Sequence, residues 1–141
     1  MRKVASLASI IGGVIMVVAG IATWFVVSTT LADQKITVSD DANCAAGDKV
    51  NGPISAFCQA DIIDQHTLDI TGGKTYAELD QEDPNRAVAM DSAFLQASLF
   101  TSVVAFGVAG MAFVLGIVLA LIGLAIRQPA VTRVETPAAG T

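Results

Sequence analysis

The sequence predicts an all-α membrane protein, an antiparallel two-helix transmembrane hairpin with a partly helical extracytoplasmic loop. Val4 to Ala32 contains no Asp, Glu, Lys or Arg, and neither does Ser92 to Ile126. A bilayer core about 30 Å thick needs roughly 20 apolar residues of helix, and both stretches exceed that. Between them, Asp33 to Asp91 holds twelve acids against Lys35, Lys49, Lys74 and Arg86. A chain of 141 residues, 53% of them hydrophobic, builds no soluble core large enough to hide two such segments.

Orientation follows from the basic residues beside the spans. Arg2 and Lys3 precede the first, and Arg127 and Arg133 follow the second. Lys and Arg are retained on the cytoplasmic side, so both termini are expected inside the plasma membrane and the loop outside. The net charge of −5 combines a loop of −8 (twelve acids, four bases) with basic ends. That asymmetry gives no basis for nucleic-acid binding. The expected organisation is a cytoplasmic N-terminus at 1–3, a first transmembrane helix at 4–28 and an acidic outer loop at 29–91. An outer stalk end and the second transmembrane helix occupy 92–126, and a disordered cytoplasmic tail takes 127–141, where Pro129, Pro137 and Gly140 fall. A cleaved signal peptide is the alternative for the first segment, with Thr30-Leu31-Ala32 as its cleavage site and a single-span product. Val4 to Val27 is 24 residues, whereas a signal core spans about 7–15.

Within the first span, Ser6, Ser9, Gly13, Gly20 and Thr23 recur at heptad-like spacing, with Met16 between them. Ala5, Ala8, Gly12, Ala19 and Ala22 form a neighbouring row. The second span carries Ser102, Ala105, Ala109, Ala112, Gly116, Ala120 and Gly123. Steps of three and four keep such residues on one face. Lipid tails are as apolar as leucine, so membrane helices associate by close backbone approach, which small residues permit. Ser9, Gly13 and Gly20 are therefore expected to face Ala105, Ala109, Ala112, Gly116 and Ala120, or to serve a homo-oligomer or another membrane protein. Trp24 and Phe25 near the outer end suit the headgroup level.

In the loop, Thr37-Val38 predicts a short extended piece and Asn51-Gly52-Pro53 a turn. Residues 54–70 predict a helix with Ile62, Ile63, His66 and Ile70 near one side, stopped by Gly72-Gly73. Thr75 and Glu78 have the spacing of a capping box opening a short helical turn, with Tyr76 and Leu79 as apolar contacts. Asp83-Pro84 predicts the start of a long second helix near 84, whose outer turns carry Met90, Phe94 and Leu95 as a stalk.

Cys44 and Cys58 are the only cysteines. Both lie in the loop assigned to the oxidising side, which predicts a structural disulfide. Redox chemistry would favour a Cys-X-X-Cys spacing. His66 is the only histidine, too few for the usual metal sites. Gly73-Lys74-Thr75 ends like a P-loop, but Leu68 stands where its first glycine belongs. Asp40, Asp41 and Asn43 hint at calcium ligands, yet Ala45, Ala46 and Gly52 break the EF-hand pattern. The spans hold no ionisable side chain of the kind that marks ion pathways. No cofactor is expected.

Several phrases resemble a known family: Leu31-Ala32-Asp33-Gln34-Lys35-Ile36-Thr37-Val38, Asn51-Gly52-Pro53, Gln59-Ala60-Asp61-Ile62-Ile63, Thr71 to Asp80, and Ser92 to Ala109. Together they resemble small actinobacterial two-span membrane proteins, members of which carry the label aromatic ring-opening dioxygenase. The resemblance implies a two-span architecture. The label implies a non-haem iron site of two histidines and a carboxylate, which one histidine cannot supply, and the family offers no catalytic motif to carry over. The expected function is a non-enzymatic membrane protein with an outer interaction loop, an accessory or assembly subunit of an envelope complex. An envelope ligand or cation sensor is the alternative, and the dioxygenase a third.

Overall fold

A computed structural model describes residues 1–127. The expectation for the tail, 128–141, lies outside the described residues. Three helices form in order: α1 (Arg2–Asp33), α2 (Pro53–Thr71) and α3 (Arg86–Arg127). Among the described residues there is no strand, only an isolated antiparallel bridge between Thr37 and Lys49.

Helices α1 and α3 are both long and apolar enough to cross a membrane. In their most apolar windows only 11% and 17% of residues are buried, so neither is the enclosed core helix of a soluble protein. They pack side by side in opposite directions. Ser6 meets Gly123, Gly13 meets Gly116 and Gly20 meets Ala109. Each step of seven along α1 is thus answered by seven in reverse along α3, as in left-handed supercoiled pairs. At about 1.5 Å per residue α1 is roughly 48 Å long and α3 roughly 63 Å, so α3 outruns its partner.

Helix α1 continues five residues beyond the expected end at 28. Thr29 Oγ1 folds back onto the carbonyls of Phe25 and Val26 at 2.9 and 3.0 Å, which suits a hydroxyl inside a helix. Leu31 in this extra turn is buried with Val38 and Val50 in the hydrophobic core. The helix stops where Lys35 takes a left-handed φ of 54°.

Helix α2 spans one residue more at each end than expected. Asn51-Gly52-Pro53 is not the reversal its composition suggests. Gly52 is the extended N-cap and Pro53 the first helical residue, a position where the missing N–H has no intrahelical role. Ser55 Oγ accepts from the N–H groups of Asn51 and Gly52, both at 3.3 Å. The chain reverses earlier, between Val38 and Asp48. There Gly47 N–H bonds to the Val38 carbonyl at 3.1 Å, and Ala45 and Gly47 adopt positive φ. At the other end Gly72 caps α2 with φ 67°, and Gly73 N–H closes on the Leu68 carbonyl at 2.7 Å.

Helix α3 begins at Arg86, two residues after the expected start. Asp83 Oδ1 accepts from Asn85 N–H at 2.8 Å, which makes Asp83-Pro84-Asn85 a side-chain-closed turn ahead of the helix. Thr75 and Glu78 do pair, with the carboxylate 2.8 Å from both Thr75 N–H and Oγ1. They close a turn and no helix follows.

Candidate functional site

Two regions hold the residues singled out by sequence: the seam between α1 and α3, and the module built from residues 34–85 on the upper part of α3.

The seam brings the expected residues together. Gly13, Gly20, Ala109 and Gly116 are buried, and Ser9, Ala105, Ala112 and Ala120 are half-buried. In the neighbouring row Ala5, Ala8, Ala19 and Ala22 are exposed. A methyl group placed on Gly13 would sit 2.5 Å from the Gly116 carbonyl oxygen and 2.6 Å from the Ala120 nitrogen. One on Gly20 would sit 2.7 Å from the Ala109 carbonyl. Backbone meets backbone at these points, so no side chain can swing aside to make room. Ser6 and Ser9 donate to the Gly123 and Leu119 carbonyls at 2.7 and 2.8 Å, bonding the hydroxyls across the seam without water. Trp24 closes the end of the seam nearest the module, its ring edge-on to buried Phe106 at 4.8 Å. Phe106, the largest fully enclosed side chain, escaped the sequence reading because a search for small residues passes over the one large residue that plugs their row.

Cys44 and Cys58 are bonded, with Cα atoms 5.6 Å apart, inside the usual span for a disulfide. The bond joins loop 34–52 to α2. Four contacts follow one face of α2: Ser55 to Asn51, Cys58 to Cys44, Gln59 Oε1 accepting from Ser39 N–H at 3.1 Å, and His66 to Asp41 at 2.6 Å. His66 and Ile70 were expected on the apolar side, yet both are exposed. The buried positions of α2 are instead mostly small residues, including Ser55, Ala56, Cys58 and Ala60 along with Ile62. A search for large apolar residues underrates such a face. Ala56, Cys58 and Ala60 join Leu31, Val38, Val50, Leu99 and Phe106 in a core that runs from the module into the seam.

On the far side α2 meets α3 through the edge-on ring pair Phe57 and Phe100 at 6.0 Å, and through Gln96 Nε2 donating to Asp64 at 3.3 Å. Arg86 ties down the segment between the two helices. Its guanidinium lies over the Tyr76 ring at 4.2 Å and donates to the Tyr76 and Leu79 carbonyls. A lone arginine among twelve acids reads as an ion-pair partner by composition. Its actual partners are backbone carbonyls and an aromatic face, which composition does not reveal.

The hydrogen bond from His66 holds the Asp41 carboxyl below its ordinary value, and the Thr75 backbone N–H does the same for Glu78. Among the described residues no three His, Cys, Asp or Glu side chains converge as a metal site. Most of the module's acids point to solvent, while Ile54 and Phe94 stand 73% and 77% exposed. Comparison with known proteins yields no matching family model, no matching curated protein and no matching solved structure.

Proposed function

We propose that this chain is a two-span plasma-membrane protein with both termini in the cytoplasm. It presents a disulfide-stapled acidic module outside and acts by binding, as an accessory or assembly subunit of an envelope complex. The observation that carries this is the continuity of α3, one helix from Arg86 to Arg127. Its lower part forms the glycine seam and its upper part is the platform on which α2 packs. A module so joined is held at a fixed height and angle above the bilayer, which suits recognition by another envelope protein. The apolar side chains left uncovered on it, Ile54, Met90 and Phe94, supply contact area, and the surrounding acids supply a polar rim. The resemblance to small two-span actinobacterial proteins supports the same architecture, and we carry no ring-opening chemistry over from that family's label.

Purification of the full chain from native membranes in mild detergent tests this role. A partner retained in fixed stoichiometry, and lost on Phe94→Asp, is the expected result. A chain that purifies alone, with a calcium-dependent change in its outer module, favours the sensor instead.

A further inference from the structure

We propose that the end of the helix pair where Arg2 and Arg127 meet is a binding site for the headgroup of an anionic phospholipid. This rests on the membrane reading above. An open groove of about 650 Å³ lies there, lined by Arg2, Lys3 and Arg127 together with Leu7, Ile10 and Ile126. The volume falls within the range of small-molecule sites. Three cations converge on it, and no acidic residue precedes Asp33 in α1 or follows Asp91 in α3, so nothing on either helix neutralises them nearby. Arg2 is held in place by a hydrogen bond to the Ile126 carbonyl at 3.2 Å. Its guanidinium has further donors in a planar fork matched to phosphate oxygens. Met1 gives α1 no side-chain cap, so the first-turn N–H groups and the positive end of the helix dipole add to the attraction.

The apolar half of the lining selects the source of the phosphate. Leu7 continues into the exposed apolar side chains of α1, such as Ile11 and Val14, and half-buried Ile10 and Ile126 complete the apolar wall beside it. A phospholipid fills both halves at once, its phosphate among the cations and the start of an acyl chain along the apolar wall. A free phosphate would leave that wall wet.

The test uses the full chain in detergent with equimolar phosphatidylglycerol and phosphatidylcholine of identical acyl chains, read by native mass spectrometry. Phosphatidylglycerol adducts should dominate. Arg127→Gln should lower the preference about fivefold, as expected for one cation near an anionic surface, and adding Lys3→Gln should lower it further. Lys74→Gln in the outer module and Arg133→Gln in the tail should leave it unchanged. Equal retention of the two lipids, or a preference that survives the double substitution, would overturn the proposal. So would loss of the preference in Arg133→Gln, or displacement of the lipid by millimolar inorganic phosphate. Failure of the membrane reading shows separately, as a protein that stays dispersed without detergent.

Discussion

At Asp41 a single hydrogen bond links a loop to a helix, and its pH dependence has a defined sign. The bond from His66 lowers the carboxyl's folded value. A depressed acid adds stability above its unfolded value, near 3.8 for this group, and the gain is lost as pH falls through the folded value. Carboxyl NMR should therefore find Asp41 titrating below the ordinary aspartate range, and His66→Ala should return it there. An unshifted Asp41 would remove this tie between loop 34–52 and α2. The disulfide is the stronger staple. Cys44 and Cys58 are 14 residues apart, and closing a loop of that size stabilises by about 3 kcal/mol through lost chain entropy. Cys44→Ser with Cys58→Ser should lower the thermal midpoint of the module accordingly. Non-reducing peptide mapping should recover the two cysteines as one linked peptide from native membranes.

At the scale of the helices, two adjacent glycines give a matched comparison. Nothing lies within 4 Å of a methyl placed on Gly12, whereas Gly13 is blocked by the backbone of Gly116 and Ala120. Gly13→Ala must force the helices apart and should destabilise the pair by about 1–3 kcal/mol. Gly12→Ala should be neutral, or stabilising by up to about 1 kcal/mol from helix propensity. Unfolding in mixed micelles measures both, and equal effects would mean the seam is misplaced. This seam was legible in the sequence because its signal, small residues at steps of three and four, is the same property that permits the contact. Both the Gly13 row and the Ala5 row satisfy that spacing; the Gly13 row, the one expected in the seam, meets α3, and the alanines of the Ala5 row are exposed. Helix ends were read less well. Leu31 buried under the module is a tertiary outcome, and Thr29 bonding back to Phe25 satisfies its hydroxyl within the helix; together they extend α1 past its polar residues. Asn51-Gly52-Pro53 has the composition of a turn, yet tertiary context uses the same residues as a helix start.

For the molecule as a whole, the pairing of α1 and α3, the stapled module and the basic end describe one object with a direction. The seam fixes the two spans against each other. The longer α3 carries the module over the end of α1, where Leu31 and Ser28 meet it, and the arginines mark the opposite end. Charge asymmetry predicts how that direction is set across the membrane, because Lys and Arg placement is a property of sequence alone. The acidic module's role was less readable, since a solvated acidic surface looks alike whether or not it meets a partner. The central claim, two spans with the module outside and both ends within, is tested most directly by thiol labelling in intact cells. Glu82→Cys and Thr141→Cys would be made separately and treated with a membrane-impermeant maleimide before and after permeabilisation. Labelling of residue 82 in intact cells, with residue 141 reached only after permeabilisation, is the predicted result. Labelling of residue 141 in intact cells, or protection of residue 82, would contradict it.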